Sequence, residues 1–211
     1  MASILERIAS KLYEGEDEEV ADLVQTALDK GLNPSEILQD GLIAGMDQVG
    51  RDFKAGDLYV PEVLIAARAM HGGMNILRPL LAGSQARGAG KFLIGTVKGD
   101  LHDIGKNLVR MMLEGGGFET VDLGTDVAPA AFVEAVRANG PCIVGMSALL
   151  TTTMVQMKAT IDALLEAGLR DSVKIVVGGA PVTAAYAQQI GADGYAPDAA
   201  SAVDLARSLA R

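Results

Sequence analysis

Residues 91–97 ("KFLIGTV"), 99–106 ("GDLHDIGK") and 104–116 ("IGKNLVRMMLEGG") run into one another, and this stretch decides the fold. The first segment is an apolar run of strand length, and the last repeats apolar residues at the period of an amphipathic helix. Between them lies a loop in which one imidazole, His102, stands between the carboxyls of Asp100 and Asp103. A strand that feeds through a short loop into a helix opens a βα unit.

Downstream the pattern recurs. "ETVDLG" (119–124), "PCIVGMS" (141–147), "VKIVVGG" (173–179) and "DGYA" (193–196) read as strands. "PAAFVEAVRANG" (129–140), "TTTMVQMKATIDALLEAG" (151–168), "PVTAAYAQQIG" (181–191) and "DAASAVDLARSLAR" (198–211) read as helices. This alternation predicts a doubly wound, Rossmann-like (flavodoxin-like) α/β domain. Its five-stranded parallel sheet would have the order 2-1-3-4-5 and be covered on both faces.

Upstream there are helix signals only. "SILERIASKLYEG" stops at Gly15, and "EDEEVADLVQTALDKG" opens with four acids that suit the helix dipole. "NPSEILQDGLIAGMDQVGRDF" offers Asn33 as N-cap and Pro34 in the first turn, and "VPEVLIAARAMHGGMNILRPLLAG" places Pro61 likewise. Four helices with short connections predict a four-helix bundle. The small, glycine-rich "GSQARGAGK" (83–91) reads as a linker, giving a helical domain over 1–85 and a sheet domain over 86–211.

Composition narrows the function. The 211 residues are 49% hydrophobic and 21% charged, and the formal net charge of -9 argues against nucleic acid as a partner. With no long apolar run and no cationic leader, the expectation is a cytoplasmic protein without membrane contact. The single cysteine, Cys142, lies within "CIVGM" and reads as core rather than nucleophile.

In an open parallel sheet, ligands bind beyond the carboxyl ends of the strands, where the strand order reverses. "GDLHDIG" follows the first strand, "SALLTTT" the third and Gly178-Gly179 the fourth, so the three chemically distinctive stretches converge at one end. Each has a plainer reading alone. Asp103 can cap the next helix, His102 can be an incidental loop residue, and the glycines can simply end a strand. "GTVKGD" lacks a dinucleotide fingerprint, no Walker-type "GK[ST]" occurs, and "GMSAL" is not a nucleophile elbow. Asp100, His102 and Asp103 could contribute to a metal site, but adjacent loop residues rarely enclose a metal without further ligands.

Asp100-x-His102-x-x-Gly105, Ser147-x-Leu149 after 41 intervening residues and Gly178-Gly179 after 28 more together resemble the cobalamin-binding signature. With the helical segment in front, the whole chain is similar to corrinoid methyl-carrier proteins of methyltransferase systems, and to the cobalamin module of methionine synthase. The resemblance implies that His102 replaces the cofactor's own base as lower axial ligand of cobalt. Asp100 would hold its far nitrogen, with the Thr153 hydroxyl behind Asp100. The nucleotide tail would run past Ser147, Leu149 and Gly178-Gly179, with Asp103, Ile104, Gly105 and Thr151 also lining the cofactor. Thr153 also has a plainer reading as the cap of the helix that follows. The helical domain would cover the upper cobalt face through a stripe at Tyr59, Val63, Ala66 and Met70, which otherwise reads as bundle core. An alternative reading of Tyr59 is a staple of the start of its helix against Leu64. His71 is expected to face solvent or core rather than cobalt.

The function so implied is to carry a methyl group on cobalt from a substrate-specific methyltransferase to a second one with a folate or thiol acceptor, maintained by a reductive activation protein. The chain would be a carrier subunit rather than an enzyme by itself. Two alternatives are the small subunit of an adenosylcobalamin mutase, whose family lacks the helical cap, and a cobalamin-dependent sensor. The sensor should bring a basic DNA-binding segment, whereas residues 1–85 hold 14 acids against 7 bases.

Overall fold

The computed structural model describes residues 2–81 and 89–210. They fall into two compact units, each taken by itself below.

The first unit is helical: α1 (Ile4–Glu14), α2 (Asp17–Asp29), α3 (Pro34–Glu36), α4 (Ala44–Ala55) and α5 (Val60–Leu81). Ser3 opens α1 with a full capping box against Glu6, and Gly15 closes it in the left-handed conformation. Asn33 caps α3 by accepting the Ser35 N–H. Between α3 and α4 the chain stays helical, but Ile37–Ile43 widens into a π-helical segment that the 3.6 period does not announce. The backbone of α1 comes close here, since a Cβ on Gly45 would lie 2.9 Å from the Ala9 carbonyl oxygen. Ile8, Leu12, Val20, Val24, Leu42, Val49, Val63 and Leu77 have no exposed surface and form the apolar interior.

The second unit is a parallel sheet in the order β2-β1-β3-β4-β5, with β1 Gly90–Thr96, β2 Phe118–Asp122, β3 Cys142–Ser147, β4 Val173–Gly178 and β5 Gly194–Tyr195. The strand order is the one read from the alternation of periods. Leu93, Val144, Ile175 and Val177 bury one face in a cluster with α7 (Pro129–Asn139), α8 (Val155–Glu166) and α9 (Ala184–Ile190). α10 (Ala199–Leu209) packs on β4 and β5 and contributes nothing to that cluster, so helices cover both faces. α6 spans Ile104–Gly115. Cys142 belongs to the core cluster, and burial pushes its thiol up to about 11, the behaviour of an inert thiol.

Two boundaries differ from the sequence reading. The proposed linker 83–91 lies outside the described residues up to 88, and its end is not linker. Gly90 and Lys91 already pair with Phe118 and Glu119 in β1. The helix read from Thr151 begins only at Val155, because the backbone of 149–150 and the Thr153 hydroxyl are turned to another partner, Asp100.

Candidate functional site: a braced histidine at the carboxyl edge of the sheet

The ends of three strands lie side by side: Thr96 of β1 pairs with Ser147 of β3, which pairs with Gly178 of β4. The loop leaving β1 carries Asp100 and His102 over this edge. Asp100 is 2% exposed and its carboxylate is fully engaged. Oδ1 lies 2.6 Å from His102 Nδ1, while Oδ2 accepts the Thr153 hydroxyl at 2.7 Å and the Leu149 N–H at 2.8 Å. Burial alone would raise this carboxyl. The hydrogen bonds from His102, Thr153 and Leu149 outweigh it and hold the group well below the usual carboxylate range.

An ionised carboxylate only accepts, so Nδ1 carries the proton and a neutral ring leaves the Nε2 lone pair for a partner. Ser147 Oγ lies 2.9 Å from Nε2. The ring is therefore fixed in tautomer and direction by one group on its own loop and one at the end of β3. A carboxyl whose folded value is depressed contributes stability above about pH 4, and that contribution is lost as pH falls toward the folded value. Asp100→Asn is expected to lower stability at neutral pH, and its gap from wild type to narrow progressively as pH falls below about 4, closing only toward the depressed folded value. Denaturant titrations across that range measure the convergence.

The other residues singled out in the sequence fall as follows. Asp103 and Ile104 are exposed at the start of α6, where the Asp103 carbonyl accepts the Asn107 N–H. Thr151 is exposed beside the buried Thr153. Thr153 does not cap α8, whose N-cap position is Met154 with no side-chain cap; its hydroxyl is instead directed at Asp100 and the Leu150 carbonyl. Tyr59 and Met70 belong to the helical unit. Val63, Ala66 and Met70 are buried and Tyr59 is exposed, so these four do not form one open stripe. The Tyr59 N–H is held by the Glu62 carboxylate, half of a capping box at the start of α5, and both Tyr59 and Leu64 remain exposed. His71 is half-buried on α5.

Lys106 escaped the sequence reading. It is 2% exposed, and its ammonium donates to both Asp122 oxygens at 2.6 and 2.7 Å and to Asn107. This ion pair ties the first turn of α6 to the end of β2. Burial would raise the Asp122 carboxyl, but Lys106 and the Gly124 N–H bring it below its ordinary value. Asp122 keeps about a third of its surface in water, at 32%. Lys106→Met is therefore expected to cost about 1–2 kcal/mol, less than breaking a fully buried pair. Thermal unfolding checks this.

The arrangement suits a large ligand that brings its own metal. Among the described residues no group of three or more His, Cys, Asp or Glu side chains could hold a metal ion by itself. What the loop offers is a single imidazole. Around it Leu101 and Ile104 are 76% and 79% exposed and Leu149 and Leu150 about half exposed, an apolar surface of the kind that ligands cover. A Cβ added at Gly105 would meet nothing within 4 Å, so the ground beside the start of α6 is open. A lone histidine with a carboxylate behind it fits the cobalt of a corrinoid.

Fold and site thus define a cobalamin-binding module, and sequence comparison agrees. A family described as "B12 binding domain" matches residues 90–204, and a second of the same description matches residues 4–78. The chain belongs to the B12-binding corrinoid proteins. It is 41% identical to a corrinoid protein of Desulfitobacterium hafniense over 98% of this chain and 97% of that one. It is 44% identical to trimethylamine corrinoid protein 2 of Methanosarcina mazei, covering 95% and 93% of the two chains. Among solved structures, the methanol:cobalamin methyltransferase complex of Methanosarcina barkeri matches with a TM-score of 0.87 and 32% identity, covering 98% of this chain and 79% of that one. No helix among the described residues is long and apolar enough to cross a membrane.

Proposed function

We propose that this corrinoid protein carries a methyl group from a substrate-specific methyltransferase to a second methyltransferase with a folate or thiol acceptor. In this reading His102 would hold the corrinoid's cobalt through its imidazole. The observation that carries it is the chain Thr153–Asp100–His102, closed by hydrogen bonds of 2.7 and 2.6 Å, at the open edge of the sheet. Relatives named for trimethylamine and methanol support methylated amines or alcohols as the donor class that the first partner would supply. The bound corrinoid would supply a cobalt centre that takes up and releases the alkyl group.

The chain's own residues would hold and orient it. His102 presents Nε2, Asp100 keeps the proton on Nδ1 and strengthens the donor, and Thr153 keeps Asp100 in place. Ser147, Leu149, Gly178 and Gly179 would flank the nucleotide tail beside Gly105. The protein isolated with its cofactor tests the function: light should release a one-carbon fragment. Release of an adenosyl fragment would instead favour a mutase subunit or a sensor.

A further inference from the structure

We infer that Asp126 and Thr96 are positioning residues, which hold the two ends of the histidine loop so that the imidazole is presented in one orientation. This deepens the reading of His102 as axial ligand and rests on it. Neither residue hydrogen-bonds to the ring. At the near end of the loop, the Gly99 N–H donates to Asp126 Oδ1 at 2.7 Å, and the Asp126 N–H donates to the Asp100 carbonyl at 2.9 Å. One residue on the loop after β2 therefore grips two successive residues of the loop after β1. Asp126 does so from φ +54°, the one left-handed non-glycine among the described residues. At the far end, the fully buried Thr96 donates its hydroxyl to the His102 carbonyl at 2.8 Å.

The grip stands on a rigid base. The Thr96 N–H donates to the Gly124 carbonyl at 3.0 Å and the Val127 N–H to the Thr96 carbonyl at 2.9 Å, so residues 124–127 continue the pairing of β2 with β1 beyond the strand ends. Asp100 sets which ring nitrogen bears the proton. Asp126 and Thr96 set where the backbone beneath that ring lies. A ligand held to within a fraction of an ångström needs both.

The test separates the acceptor from the backbone conformation. Asp126→Gly keeps the left-handed backbone but removes the acceptor, whereas Asp126→Asn keeps the conformation and a neutral acceptor. In wild type the Gly99 amide should exchange with deuterium slowly although its loop is exposed. Asp126→Gly should speed that exchange about tenfold, the worth of one such hydrogen bond. The same variant should bind cobinamide, a corrinoid without a nucleotide tail, about tenfold more weakly. Asp126→Asn should restore both. Thr96→Val, of the same shape, should weaken cobinamide binding with little change in melting temperature, and it serves if the Asp126 variants do not fold. Fast Gly99 exchange in wild type, Asp126→Gly indistinguishable from wild type, or Asp126→Asn as impaired as Asp126→Gly would each overturn the inference. If His102→Gly binds cobinamide as wild type does, the axial-ligand reading is what fails, and Gly99 exchange still tests the hold.

Discussion

His102→Gly is expected to leave a folded protein whose bound Co(II) corrinoid has lost the nitrogen splitting of its lower ligand in electron paramagnetic resonance. The site explains why the change should be complete. The only other histidine, His71, lies on α5 in the helical unit. The ring's hydrogen-bond partner besides Asp100 is a serine hydroxyl, which supplies no nitrogen. Loading with cobinamide keeps the cofactor's own base out of the measurement. Wild-type protein grown on 15N-histidine should then turn a three-line splitting into a two-line one, because the nuclear spin changes from 1 to 1/2. A splitting that survives in His102→Gly would remove the assignment. The fold should tolerate the change, since the ring is held by hydrogen bonds on a loop and is not part of either apolar core.

The largest stability effect is expected at Gly179. Its φ of +125° suits glycine alone, and a Cβ there would lie 1.9 Å from the carbonyl oxygen of Ala148. Ala148 cannot step aside: it is fully buried, and its N–H donates to the Gly178 carbonyl at 3.2 Å. Backbone strain and overpacking together put Gly179→Ala at about 3 kcal/mol or more. That is a fall in melting temperature of roughly 10 °C.

Gly105→Ala is the contrast. The added methyl meets no atom of the chain, and alanine is the better helix former at this position in the first turn of α6. Melting should hold or rise, while uptake of cobalamin falls if the tail passes there. A drop at Gly105 equal to that at Gly179 would mean that both glycines serve the fold alone. The two sites therefore separate a glycine required by close backbone packing from one with open space beside it.

The five strands, their order and the helices between them were legible because they are local patterns. A period of two or of 3.6 residues is written into every window of the chain, and the right-handed crossover rule leaves few topologies for a βα alternation. The candidate site was legible in outline for a related reason: loops after strands 1, 3 and 4 of such a sheet must meet at one edge. Partner choice was not legible. Thr153 reads equally as a helix cap, and only the fold, which brings it across 53 positions to Asp100, decides between the readings. Asp126, 27 positions from Gly99, and Asp122, 16 from Lys106, carried no local signal, since an exposed loop acid and a helix lysine look ordinary in any window. Met70 shares the helical spacing of Tyr59, yet packing buries one and leaves the other in water. Likewise, Gly179 and Gly105 are the same residue type at one site, but the proximity of the Ala148 carbonyl to the first and open space at the second give them different roles. Sequence alone determined which elements form and which loops meet. The tertiary structure decided which side chains hold one another there, because a hydrogen bond depends on distance and direction between groups that the chain order keeps far apart.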